Sequence, residues 1–385
     1  MTKKQVKPES PPTTAKRILN ITIFVASLYV FLLSIEMISG TLSGFKDFAR
    51  FLLTLTNNPV VGLFIGILTT AIIQSSSATT SLVVCLVASG TMSVNHAIPI
   101  IMGANIGTTI TNTMVSLFHI SRKDEFVKAF PGAIVHDIFN ILTVIVLFPI
   151  EIFLHPLEIA SNFLAKGFTG IGGFKVLSPL KFIIEPVWKL LQSGIDALLK
   201  LIIPGSKAYG TVLILVSLAV AVTLLFVGLT FMVKGMRKLT GSKTEVFIDR
   251  YLFGGPVRAF LVGLIITSII QSSSVTTSFI VPLVGAGLVT IEQIFPYTLG
   301  ANIGTTITAI LASLVTGSPL AIQVAFAHSL FNIFGTILWY PLRIVPVAFA
   351  KGLGMLVAWK RWMAFVYIVI VFIIIPVGLI LLLRR

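Results

Sequence analysis

Long apolar stretches alternate along the chain with short polar breaks, and the breaks recur. About 20 apolar residues follow from Ile18, enough for a helix to cross a ~30 Å hydrocarbon core. Further on, QSSSATTS at 74–81 interrupts an apolar region. The flanks IGILTTAII and LVVCLVASG are each too short to span, so together they predict a re-entrant hairpin or a helix broken at the polar motif. QSSSVTTS at 271–278 repeats the break, and GANIGTTIT stands at both 103–111 and 300–308. Gln74 to Asn105 and Gln271 to Asn302 have the same spacing, and VHDIFN at 135–140 answers AHSLFN at 327–332. Each half thus reads as a spanning helix, a segment broken at QSSS, a segment carrying GANIGTT and another spanning helix. The predicted fold is an all-α polytopic membrane protein of two repeats. The alternating ~10-residue strands of a β-barrel are absent.

Composition agrees. Hydrophobic residues make up 56% of the 385, above the ~45–50% of soluble domains, and the mean hydropathy is +1.03. A net charge of +15 does not point to nucleic acid, because the charges lie in the tail and loops and no soluble basic domain carries them. Cys85 is the only cysteine, which excludes an intramolecular disulfide and a cysteine metal cluster. Residues 1–17 read as a polar, disordered tail. The apolar run after it lacks a small-residue cleavage site and reads as the first spanning helix.

Charge also orients the repeats. The tail carries Lys3, Lys4, Lys7, Lys16 and Arg17 against Glu9, which makes it cytoplasmic by the positive-inside rule. The loop after the first helix holds only Lys46, Asp47 and Arg50, whereas its counterpart at 234–258 is rich in Lys and Arg. Equivalent loops therefore fall on opposite sides, and the repeats are expected to be inverted, a usual build of secondary transporters. The expected divisions are a cytoplasmic tail at 1–17, repeat 1 at 18–154, an external linker with interfacial helices at 155–208, repeat 2 at 209–345, and a C-terminal interfacial segment with a last spanning helix at 346–385. Counting crossings puts Arg384 and Arg385 outside, against their charge.

No Lys, Arg, Asp or Glu lies between Arg50 and Arg122, and only Glu292 lies between Arg258 and Arg343. The motif zones offer hydroxyls, amides and helix ends, but no basic side chain. Broken helices expose N–H groups that bind anions, and carbonyls with Ser, Thr, Asn and Gln oxygens suit a hard cation such as sodium. An anion held there gains about 4 kcal/mol from a cation at ~4 Å with an effective dielectric near 20. The competing role for these polar residues is helix packing, which also fits Gly103, Gly107, Gly300 and Gly304. Asp137 lies inside a spanning helix, where a carboxylate is costly and by default functional. A hydrolase built on His136 and Asp137 is disfavoured, because adjacent residues of one helix point about 100° apart.

QSSSATTS, IPIIMGANIGTTITNT, DEFVKAFPGAIVHDIFN, QSSSVTTS, TLGANIGTTITAILASL and FNIFGTILWYP closely resemble the type II sodium–phosphate cotransporter family, from about residue 18 to about residue 375. The linker is short and cysteine-free, as in a compact prokaryotic relative. The resemblance implies that Ser75, Ser76, Ser77, Ser272, Ser273 and Ser274 line a phosphate site. It implies sodium ligands at Gln271, Ser272, Thr305 and Thr308, and by internal symmetry at Gln74, Thr108 and Thr111. Asp137, with Asn140 a turn further on, matches the aspartate that marks electrogenic members. Asn105 and Asn302 are expected to support the site. Ala301 stands where some relatives have Ser. The implied function is sodium-coupled symport of inorganic phosphate by alternating access in a multi-pass cell membrane protein with a cytoplasmic N-terminus. It is not an enzyme, and it uses no cofactor beyond sodium as co-transported ion. The alternative is a symporter or channel for another oxyanion or a carboxylate. Ser76→Ala or Ser273→Ala is expected to abolish uptake.

Overall fold

The computed structural model describes residues 14–42, 58–168, 179–206, 208–239, 252–316 and 318–383, and among them there is no strand. The tail before Thr14, the loop charges Lys46, Asp47 and Arg50, the centre of the basic 234–258 stretch, and Arg384 and Arg385 lie outside the described residues. The first half runs α1 (Thr14–Leu42), α2 (Pro59–Ile73), α3 (Ser76–Ala88), α4 (Val94–Gly107), α5 (Ile110–Leu117) and α6 (Lys123–Leu154). Two helices follow, α7 (Pro156–Lys166) and α8 (Pro179–Ile202). The second half is α9 (Tyr209–Leu239), α10 (Pro256–Ile270), α11 (Ser273–Gly285), α12 (Ile291–Thr316) and α13 (Pro319–Trp339). The chain ends in α14 (Ile344–Trp359) and α15 (Met363–Leu383). Six of these helices, α1, α6, α9, α12, α13 and α15, are long and apolar enough to cross a membrane.

Composition and glycine placement explain the packing within each half. The α2–α4 pair crosses so closely that a Cβ added at Gly103 would stand 1.9 Å from the Leu63 carbonyl oxygen, and one at Gly66 would stand 2.0 Å from that of Ile100. The second half repeats this. Gly300 would reach 1.9 Å from the Phe260 oxygen and Gly263 2.1 Å from the Tyr297 oxygen. Between apolar helices in lipid, the van der Waals packing that such close approach permits is one source of attraction. Of the readings open for the motif glycines, close approach is the one the packing requires.

The halves interlock. α3 packs on α12 and α13, and its counterpart α11 packs on α5 and α6. One difference separates the copies of GANIGTT. The second lies in a continuous helix, whereas the first breaks after Gly107. There the hydrogen bonds tighten to the i−3 pattern, Thr109 N to Ile106 O at 3.2 Å and Asn112 N to Thr109 O at 3.0 Å. In the segment expected as a linker, α8 buries Ile184 and Leu199 but exposes Phe182, Leu190 and Leu201. That two-sided apolar character suits a helix lying at a membrane surface.

Candidate functional site

Both polar motifs fold the same way. α2 ends at Gln74, which adopts a left-handed conformation (φ 60°, ψ 24°), and Ser75 is extended. Gln271 (φ 60°, ψ 27°) and Ser272 repeat these values. A left-handed residue other than glycine costs about 1–2 kcal/mol, so two glutamines held this way mark a conformation imposed by the surroundings. Ser75 then caps α3, its Oγ accepting from Ala78 N at 3.2 Å, and Ser272 caps α11, accepting from Val275 N at 3.4 Å. Serine is among the preferred residues for that position. The Thr70 and Thr79 hydroxyls meet at 2.9 Å, and those of Thr267 and Thr276 at 2.8 Å. Nine residues of straight helix would rise about 13.5 Å, so at each motif the chain folds back on itself.

The two folded-back motifs open onto one cleft of about 310 Å³. Ser75, Ser77, Ser272 and Ser274 line it, with Gln74, Gln271 and Thr308. The hydroxyls of Ser77 and Thr305 lie 3.3 Å apart, and those of Thr108 and Ser274 lie 3.2 Å apart. Exchanging the halves turns one contact into the other. Ser76 and Ser273 are buried and do not line the cleft. No Lys or Arg is among the described lining residues, and Glu36 of α1 and Glu185 of α8 are its charged groups. Trp188 of α8 also lines it; nothing in the sequence pattern pointed to that residue.

The two halves then differ. Gln74 is fully engaged, its Nε2 donating to Ala71 O at 2.7 Å and its Oε1 accepting from Thr111 at 2.9 Å. Thr308, the counterpart of Thr111, has no hydrogen-bond partner among the described residues, and both Thr308 and Gln271 line the cleft. The second half therefore leaves the Thr308 hydroxyl unpaired at the cleft, where the first half pairs the equivalent Thr111 with Gln74.

Asn105 and Asn302 staple the halves together. Asn105 donates to Ile101 O at 2.9 Å, and its Oδ1 lies 3.2 Å from His328 Nε2. Asn302 donates to the Oδ1 atoms of Asn140 at 2.9 Å and Asn332 at 3.0 Å. Asn140 donates in turn to Asn105 O at 2.7 Å. Both polar ends of Asn140 are thus taken up in this network, and it does not line the cleft.

Asp137 is fully buried and also stands off the cleft. Its Oδ2 accepts from Tyr367 at 3.0 Å and from Thr113 at 3.4 Å. His136 beside it is buried and bonds neither Asp137 nor a cleft serine. Three successive residues of α5 tie the parts together. Thr111 bonds Gln74, Asn112 Oδ1 accepts from Thr277 and Ser278 at 2.9 Å each, and Thr113 reaches Asp137. Steps of about 100° per residue aim neighbours of one helix in three directions. Asn112 and Thr113 sit in the quoted ITNT stretch and were legible as polar residues inside apolar sequence. Tyr367 carried no such signal.

A helical membrane protein of two interlocked halves, with paired serine-capped breaks facing one polar cleft, is the class that fold and site define. The family model described as Na+/Pi-cotransporter matches residues 30–170 and 224–383, and the chain belongs to that family. Sodium-dependent phosphate transport protein 2B of Homo sapiens is 36% identical over 92% of this chain and 62% of its own length. Sodium-dependent phosphate transport protein 2A of Ovis aries is 35% identical over 93% of this chain and 67% of its own length. The Pongo abelii 2B protein is 36% identical, and the chain spans 63% of its length. No solved structure matches the chain.

Proposed function

We propose that this chain carries inorganic phosphate across the cytoplasmic membrane together with sodium, by alternating access between two inverted repeats, with its N-terminus in the cytoplasm. The observation that carries the reading is the convergence of both QSSS breaks on one cleft without a described Lys or Arg. Two capped helix N-termini and four serines suit a phosphate oxyanion. With acidic side chains nearby and no Lys or Arg among the described lining residues, the anion needs cations for company, and Thr308 and Gln271 supply oxygens for one. The reciprocal Ser77–Thr305 and Thr108–Ser274 contacts fit a two-fold relation between the halves. The names of the relatives, sodium-dependent phosphate transport proteins, agree with this substrate pair. We read the chain as a carrier rather than an enzyme, because its relatives are named as transport proteins.

Purified protein in proteoliposomes is expected to take up radiolabelled phosphate saturably when sodium is outside, and to stop when choline or lithium replaces it. Sodium-independent uptake, or displacement of phosphate by sulfate at equal concentration, would overturn the substrate assignment. Asp137 adds a further transported charge in this reading. Asp137→Gly is expected to keep phosphate uptake while removing the net current that accompanies it. An unchanged current per phosphate would refute that role.

A further inference from the structure

Asp137 presents an unusual carboxylate. It is fully buried, and its Oδ1 has no hydrogen-bond partner among the described residues, while both hydroxyl donors converge on Oδ2. Its counterpart in the second half, Ser329, is fully satisfied, donating to Thr306 Oγ1 at 2.8 Å. Burying a carboxylate oxygen without a partner is costly, and a hard cation, which carboxylate oxygens suit, is one group that satisfies it.

One of the two donors comes from outside both repeats. Tyr367 lies on α15, and its ring packs edge-on against Phe130 of α6 and Phe372 of its own helix, with centroids 6.0 and 6.4 Å away. Five residues on an α-helix do not share a face. Here the helix passes into a π stretch at Ile370–Ile374, where Ile375 N–H bonds Ile370 O, and the wider turn lets Tyr367 and the fully buried Phe372 both face inward. The other donor, Thr113, stands on α5 beside the residues that bond both serine-motif segments.

We propose that Tyr367 is a positioning residue for a sodium ion at Asp137: by holding Oδ2 it turns Oδ1 toward the ion, and so ties the terminal helix to sodium occupancy. The inference rests on the reading of Asp137 as an ion site. Tyr367→Phe removes one hydroxyl and keeps the ring contacts. In proteoliposomes it is expected to raise the sodium concentration for half-maximal uptake about tenfold, the scale of one hydrogen bond to a charged group. The phosphate concentration for half-maximal uptake at saturating sodium stays unchanged. Thr113→Val shifts sodium dependence in the same direction, and Tyr367→Phe adds nothing in an Asp137→Asn background. Sodium-induced thermal stabilisation of the purified protein, measured against choline, shrinks in Tyr367→Phe and gives a readout without transport. A merely structural tyrosine would lower the melting temperature in both salts equally and leave the sodium increment intact, which would overturn the proposal. If Asp137→Asn shifts sodium dependence and Tyr367→Phe does not, the inference falls and the ion site stands. If Asp137→Asn itself leaves sodium dependence unchanged, both fall.

Discussion

Replacing Ser75 and Ser272 together by alanine is expected to abolish sodium-dependent phosphate uptake while leaving a folded protein. Each serine does two things. It caps the helix that starts the second arm of its motif, and it lines the shared cleft. Losing a cap costs about 1 kcal/mol of stability, which two long interlocked halves tolerate. Losing a hydroxyl that bonds a charged ligand costs about 1.5–3 kcal/mol of binding, so two such losses weaken phosphate binding by more than about 100-fold. The single variants should fall between, with similar effects, because the two motifs are geometric copies. Initial uptake rates across a phosphate series measure this, with the melting temperature as the control for folding. The comparison with Ser76→Ala and Ser273→Ala is informative, since those serines are buried off the cleft. If they abolish uptake and Ser75→Ala with Ser272→Ala does not, the cleft is not the phosphate site.

Gly103→Ala and Gly300→Ala are expected to cost the fold itself. A methyl group at either position would sit 1.9 Å from a carbonyl oxygen of the facing helix, and the atom it meets is backbone that no rotamer change can move. Separating α2 from α4, or α10 from α12, costs about 1–3 kcal/mol or more for each change. The double variant should lose monodisperse behaviour in detergent. Gly378→Ala is the control. It lies in α15 with no atom within 4 Å of an added Cβ, and there alanine is expected to raise helix stability by about 0.5–1 kcal/mol. Equal melting temperatures for Gly300→Ala and Gly378→Ala would mean that the helices do not cross as closely as described.

Much of this was legible beforehand. The two breaks, their doubling and their length between apolar flanks predicted folded-back segments, because a polar interruption at membrane depth needs protein or a cavity around it. The stretches without charge predicted a cleft without basic side chains, and the described lining agrees. Asp137 was conspicuous as a carboxylate in an apolar helix. What escaped were Trp188 and Tyr367, aromatic residues in an apolar chain, whose role depends on which hydroxyl or ring edge meets which partner. The split of duties among the asparagines was equally hidden. Asn140 reads as a ligand beside Asp137, and in the folded chain both its ends are bound to Asn105 and Asn302.

The sequence by itself determined the helical class, the two-fold repetition and the polar chemistry of each motif, because apolar length, glycine spacing and capping serines act over a few turns of one helix. Only the tertiary structure decided which copies of those motifs stay open. The first half closes Gln74 with Thr111, the second leaves Thr308 free, and Asp137 meets a tyrosine from beyond both repeats. Such differences arise where helices distant in sequence pack together, and identical local motifs cannot encode them.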